Sequence, residues 1–457
     1  MGPPRQVTSQ KAGKDKKKPS QTPRRSNPSR SAPKEAEERE SPIDLSATIP
    51  LTLQQLLLNV FRSALLTTPG PPPTDSAEEP RQLDIKSLIQ TIKSHLYNRD
   101  FDSAFTDASG DLLRAYALRW STSRALGYAG LFKALFKDVL RLPAGGDADA
   151  DADAATSHVT HPHVVCIGGG AGAEIVALAA IWRDLIDEHA GKTSLVDGVA
   201  AASLDDAPST SPSSSSSTPA ASRPALTVTA VDIADWSTVV DRLASTIGAP
   251  DVRGSRSHAA PLVDPVRGGF SVRSRRSDVL TLPDDGLREL LHLPAPASST
   301  ERQQLDGVEE GGENPATTVL VTLMFTLNEL FSTSMAKATG FLLRMTDLLQ
   351  PGTVLLVVDS PGSYSTLKLG KGGNAKKSDG GGEAETAAAP QERNYPMKFL
   401  LDHALLSVAK GKWERVYSQD SRWWRREAAR LSWDVGEGAG LEDMRFQVHI
   451  YRRLDGK

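Results

Sequence analysis

Three glycines, Gly168, Gly170 and Gly172, stand in a Gly-x-Gly-x-Gly pattern between the apolar run His163-Val164-Val165-Cys166-Ile167 and Glu174. Side chains at these positions would keep a ligand away from the backbone, and glycine also tolerates positive φ. The pattern predicts a short strand, a tight turn and a helix whose first N–H groups are free to bind a polar or negative group. Gly168, Gly169, Gly170, Gly172 and Glu174 are therefore expected to cradle a nucleotide-type cofactor. Many unrelated chains carry three glycines in a turn, so the loop alone does not select the cofactor.

A compact unit of this kind needs a ribose-binding acid ~20 residues after the loop. The best candidate, Asp232, closes the apolar run Leu226-Thr227-Val228-Thr229-Ala230-Val231 and follows Gly172 by 60 residues. A serine-rich, low-complexity segment near 191–224 lies between them. Removing its roughly 34 residues leaves about 26, close to that spacing. Asp232 is then expected at the carboxyl end of the second strand, where doubly wound sheets bind ligands. Asp278, after a third short strand, is expected to reach the adenine amino group.

NAD and S-adenosylmethionine both use such a loop and acid, and the carboxyl half separates them. Leu348-Leu349-Gln350-Pro351-Gly352-Thr353, followed by Val354-Leu355-Leu356-Val357-Val358-Asp359, reads as a helix end, a Pro-Gly turn and a buried strand. It resembles the fifth-strand entry of class I S-adenosylmethionine-dependent methyltransferases. The run 445–453 resembles their antiparallel last strand, and the glycine loop their first motif. One departure is Cys166, where many members carry an acid; as a residue it reads as a small buried hydrophobe.

Tyr116-Ala117-Leu118-Arg119-Trp120-Ser121, Ser123-Arg124-Ala125-Leu126, the glycine loop, Phe325-Thr326-Leu327-Asn328-Glu329-Leu330-Phe331 and the arginine-rich end together resemble the fungal large-subunit ribosomal RNA uridine-N3 methyltransferases. The resemblance runs from about 51 to 453 apart from three insertions. It implies methylation of one uracil in the nucleolus during ribosome assembly, with the large-subunit RNA or pre-ribosome as partner. A non-catalytic assembly factor on the same fold is the alternative, because fold does not establish activity. A methyltransferase for protein or a small molecule is a third reading.

Uracil N3 is a poor nucleophile while it holds its proton, so a base must remove it, or the site must stabilise the imide anion, before in-line attack on a sulfonium methyl. Asn328 and Glu329, after the fourth strand, are the catalytic candidates: Asn328 to hold the imide edge, Glu329 to accept the proton. A helix cap for Asn328 and a solvated helix-opening acid for Glu329 are the plainer alternatives. Asp359, at the end of the fifth strand, is a candidate to line the substrate side, but reads rather as a turn residue before Pro361. Arg114, Arg119, Trp120 and Arg124, with the cluster Arg422-Trp423-Trp424-Arg425-Arg426, are candidates for phosphate and base contacts. The same tryptophans can instead fill a core. His158, His161 and His163 have no complementary acid or cysteine at ligand spacing, so no metal is expected.

These residues require an α/β frame. Short apolar strands near 163–167, 227–231, 271–273, 319–325, 354–359 and 446–452 alternate with helical stretches and predict a mainly parallel α/β sheet over 158–457, which the resemblance implies is a Rossmann-like sheet of seven strands. Insertions near 191–224, 294–315 and 368–392 read as surface loops. Helices at 51–66, 83–97 and 111–140, the last broken near Gly127 or Gly130, form a helical cap over 47–144, joined to the sheet domain by an Asp-Ala linker. A hydrophobic content of 39% is low for a fully folded chain, in keeping with unstructured segments. The single cysteine excludes an internal disulfide and a multi-cysteine zinc site and fits a reducing compartment. No run reaches the ~20 apolar residues of a membrane span. The net charge is −3, yet Lys11, Lys14, Lys16, Lys17, Lys18, Arg24, Arg25 and Arg30 crowd the arm 1–46, which reads as a nuclear or nucleolar address or a polyanion tether.

Overall fold

The computed structural model describes residues 43–66, 83–140, 161–202, 224–291, 317–362, 364–368, 392–427 and 430–455. The basic arm up to residue 42, the Asp-Ala linker, the second insertion and most of the other two lie outside them; the last residues of the arm do not, since Ile43 and Leu45 are buried in the core.

Helices α1 (Leu51–Leu65), α2 (Ile85–Tyr97), α3 (Gly110–Tyr116) and α4 (Thr122–Ala134) precede strand β1 (Pro162–Ile167). Then come α5 (Ala173–Ala202), β2 (Ala225–Asp232), α6 (Ser237–Ile247), β3 (Gly269–Arg276), α7 (Asp284–Leu290) and β4 (Thr317–Met324). The chain continues through α8 (Leu327–Thr333), α9 (Met335–Leu348), β5 (Val354–Asp359) and a hairpin of β6 (Tyr364–Lys368) and β7 (Glu392–Pro396). It closes with α10 (Met397–Asp402), β8 (Trp413–Trp424) and β9 (Met444–Arg453).

The main sheet has seven strands in the order β3-β2-β1-β4-β5-β9-β8. The first five are parallel; β9 runs antiparallel between β5 and β8. Strands β1 and β5 are buried along their whole length because both faces are covered. Their alternation sorts the core. Val164, Cys166, Val228, Leu320 and Leu356 face α1, α4, α5 and α6, whereas Val165, Ile167, Val321, Leu323 and Val357 face α7, α8, α9 and α10. The amino-terminal helices thus share the core of one sheet face.

Three sequence expectations change. Gly127 and Gly130 do not break a helix. Both lie inside α4, where a Cβ on Gly127 would meet Met444 Cε at 2.5 Å and one on Gly130 would meet the Ala47 carbonyl at 2.4 Å. They are close-approach positions, and the interruptions are π-wound turns at Ala117–Ser121 and Leu135–Val139. Helix α5 continues to Ala202, into the segment read as a loop from 191. Strand β8 was missing from the expected strands: it is a half-exposed edge whose register slips between Arg415 and Tyr417 and between Gln419 and Arg422, which erases the period of two.

Among the described residues no helix is long and apolar enough to cross a membrane.

Candidate functional site

The parallel strands end on one side of the sheet, at a cavity of about 790 Å³. Its floor is the end of β1 with Gly168; Asp232 and Ile233 follow β2, and Asp278, Val279 and Leu280 follow β3. Phe325, Thr326, Asn328 and Glu329 follow β4, and Asp359 follows β5. The turn after α2, with Arg99 and Phe101, forms the roof, while Tyr116 and Arg124 close one wall.

The glycine loop has local reasons for its sequence. Gly168 and Gly172 hold φ of 77° and 83°. A Cβ on Gly168 would strike Thr326 Oγ1 at 2.1 Å, one on Gly169 would strike Cys166 Cβ at 2.6 Å, and one on Gly170 would strike Trp236 Cδ1 at 2.2 Å. Gly168 itself lines the cavity; Gly169, Gly170 and Gly172 fold the turn behind it. Cys166 is wholly buried, and that burial pushes its thiol well above the usual range.

Asp232 accepts the Gly170 amide at 3.2 Å through Oδ2 and the Ala234 amide at 3.2 Å through Oδ1. Burial raises its pKa, against the pull of these amides. The Trp236 side chain and the Ile233 amide also favour its charged form, and Asp232 lines the cavity. Asp278 lines the same end but spends its carboxylate on its own turn, accepting Leu280 N–H at 2.9 Å and Thr281 Oγ1 at 3.0 Å. Glu174 lies inside the protein, 4% exposed and outside the cavity lining. Desolvation pushes its pKa up to about 7, with Arg124 pulling it down and Asp232 pushing it further up.

The β4 end carries the other half. Helix α8 has no side-chain cap of its own. Asp359, on the neighbouring strand end, takes the Asn328 amide at 3.0 Å and the Ser360 amide at 2.7 Å. Asp359 is thus a buried helix anchor rather than a turn residue. This leaves the Asn328 side chain free of capping, and its Oδ1 is buried with no hydrogen-bond partner. Glu329 faces the cavity in an exposed position. Partial desolvation raises its pKa and the Asp359 charge adds to that, while Arg99 lowers it. Among the described residues, two non-glycine residues hold left-handed φ, Arg99 at 57° and Phe325 at 58°, and both line this cavity. Such backbone strain gathers where a site is over-determined by its surroundings.

The proposed RNA contacts sort differently. Arg114 donates to the Leu65 carbonyl at 3.0 and 2.6 Å and caps α1, and Arg119 pairs with Glu442. Arg422 donates to the Leu45 carbonyl at 2.7 Å, Arg426 to that of Leu441, and Trp424 packs near Gly127. Trp423 is exposed, with the Arg425 guanidinium 4.1 Å from its ring centroid. Arg124 alone of these lines the cavity; no local signal sets it apart from Arg114 or Arg119, since only tertiary packing does so. His163 is buried in β1, bridging Thr318 and Thr229 at 2.8 Å each, and no metal-binding group of side chains occurs among the described residues.

An S-adenosylmethionine fits these residues: a glycine wall, a twin-acceptor acid, apolar flanks from Ile233, Val279 and Leu280, and an orphaned amide oxygen where an acceptor would enter. Comparison with known proteins agrees. Residues 74–452 match a family model described as "Putative SAM-dependent methyltransferase". A relative in Saccharomyces cerevisiae, the 25S rRNA (uridine(2843)-N(3))-methyltransferase, is 30% identical over 418 residues, covering 90% of this chain and 87% of its own. Among solved structures, an S-adenosylmethionine-dependent methyltransferase from Methanosarcina mazei is 10% identical, covers 64% of this chain and 92% of its own, and has a TM-score of 0.28. The CcbJ methyltransferase from Streptomyces caelestis is 13% identical over 64% of this chain and 83% of its own, with a TM-score of 0.24.

Proposed function

The chain belongs to this family of S-adenosylmethionine-dependent methyltransferases, and we propose that it methylates N3 of a uridine in large-subunit ribosomal RNA during ribosome assembly. One observation carries the reading: a single cavity is bounded by the twin-acceptor acid Asp232 at one end and by Asn328 and Glu329 at the other. The relative's substrate gives the acceptor its identity.

When bound, S-adenosylmethionine supplies an electrophilic methyl group, and the electron pair of the broken carbon–sulfur bond stays on sulfur. The chain supplies the rest. Asp232 accepts the ribose hydroxyls, and Gly168 lets the backbone approach the donor. The Asn328 side chain aligns the uracil imide edge by donating its amide N–H to a uracil carbonyl. Glu329 takes the N3 proton onto its carboxylate and passes it to solvent at the cavity mouth. Its raised pKa brings it closer to the pKa of the imide, which makes it a stronger base than an ordinary carboxylate. Arg99, on the same cavity wall, opposes the negative charge that develops on the imide. The substrate class assigns the work to the nucleolus, with the basic arm as the address.

The test is nucleoside mass spectrometry of large-subunit RNA from cells with and without the gene. The reading predicts loss of N3-methyluridine in the deletion and its return with the wild-type chain. An unchanged level overturns it.

A further inference from the structure

Helix α4 brings a guanidinium to the cavity that no carboxylate among the described residues neutralises at contact distance. Arg124 lines the cavity wall with Tyr116 and forms no ion pair among the described residues. Its Nη1 donates to the Tyr116 hydroxyl at 3.1 Å. Its carbon lies 4.8 Å from the Phe325 ring centroid and 5.9 Å from that of Tyr116. Aromatic contact shields the guanidinium from water, and one of its five N–H donors is committed. Phe325 reaches this position with φ of 58°, held by the hydrogen bond that its N–H donates to the Val358 carbonyl at 2.7 Å. Glu174 acts on Arg124 only at longer range and is itself buried without a partner for Oε1.

A guanidinium half-removed from water, with donors still open, suits an anionic oxygen ligand. We infer that Arg124 binds the carboxylate of the methionine part of S-adenosylmethionine and so sets the donor's position along the cavity. This rests on the reading of the cavity as the donor site. The carboxylate is that donor's one anionic group. The competing anion, an RNA phosphate, belongs to a backbone that stays outside when a base enters, whereas Arg124 lines the cavity wall against Tyr116 and Phe325.

Isothermal titration of the full chain with S-adenosylmethionine, decarboxylated S-adenosylmethionine and 5′-methylthioadenosine tests the assignment. Wild-type protein is expected to prefer S-adenosylmethionine over its decarboxylated form by about 10- to 100-fold, the usual worth of a charge-assisted pair. Arg124→Met removes that preference while keeping methylthioadenosine affinity, which also reports that the variant is folded. Arg124→Lys restores part of it. Equal wild-type affinity for the first two ligands overturns the inference, and needs no variant to fold. Arg124→Met with intact S-adenosylmethionine affinity but weakened RNA binding assigns the guanidinium to phosphate and overturns it as well. Wild-type protein that binds none of the three overturns the donor site itself, and this assignment with it.

Discussion

The Gly170 amide donates to the Asp232 carboxylate at 3.2 Å and ties the turn after β1 to the end of β2, 62 residues further along the chain. The bond fixes the acid against the loop, so donor binding depends on both partners. Gly170→Arg drives a side chain into Trp236, already 2.2 Å from a bare Cβ, and is expected to abolish S-adenosylmethionine binding in calorimetry. Asp232→Ala removes both acceptors and weakens it by about 10- to 100-fold. Wild-type affinity in either variant contradicts the donor site.

Glu174 makes stability depend on pH. Its pKa rises from 4.5 in the unfolded chain to about 7 in the fold because burial disfavours the carboxylate. Between those values the folded chain holds more protons than the unfolded one. The contribution is therefore full below pH 4.5 and is lost as pH rises through 7, by about 3 kcal/mol in all. In denaturant titrations Glu174→Gln should remove this decline, and a variant with the wild-type pH slope would show that the group is not desolvated as described.

His449 acts in the opposite direction. It is buried between β5 and β8, bonded to Ser418 Oγ at 2.8 Å and Gln447 Oε1 at 3.0 Å, and desolvation lowers its pKa from 6.5 to about 4. The folded chain then holds fewer protons between these values, so stability is full above pH 6.5 and is lost as pH falls toward 4, by about 3 kcal/mol. His449→Gln should flatten the acid side of the same curve. An unchanged acid side contradicts the assignment.

Glu329 and Asp359 couple in the rate profile. Burial raises the Glu329 pKa and the Asp359 charge adds to it. As a general base Glu329 works deprotonated, so methyl transfer rises with pH through its pKa. Glu329→Gln should lower the single-turnover rate by about 10²- to 10⁴-fold while donor affinity holds. Asp359→Asn removes the adjacent charge and should move the rising limb to lower pH. Wild-type rates for Glu329→Gln would remove it from the mechanism; if cells then still need the protein but not the methylation, the assembly-factor reading gains.

The parts of the fold that were legible in the sequence are those whose physics is local. Strands β1 and β5 are buried on both faces, so their apolar runs stand out, and subtracting one low-complexity segment brought Asp232 to the glycine loop. Strand β8 was not legible because its bulges break the alternation on a half-exposed edge. Gly127 imitated a helix breaker because the Met444 and Trp424 side chains it admits are more than 290 residues away in sequence. At the site, Glu329 and Asn328 were legible by their place after a strand. The anchoring of α8 by Asp359 and the separation of Arg124 from its neighbouring arginines arise only from packing between distant elements.

The most direct test is methyl transfer in vitro. Purified chain, methyl-labelled S-adenosylmethionine and large-subunit RNA from deletion cells are combined, and the RNA is digested to nucleosides and separated. Label in N3-methyluridine with wild-type protein, and its loss with Glu329→Gln and Gly170→Arg, is the predicted result. Label in another nucleoside, or equal label with Glu329→Gln, would contradict the account.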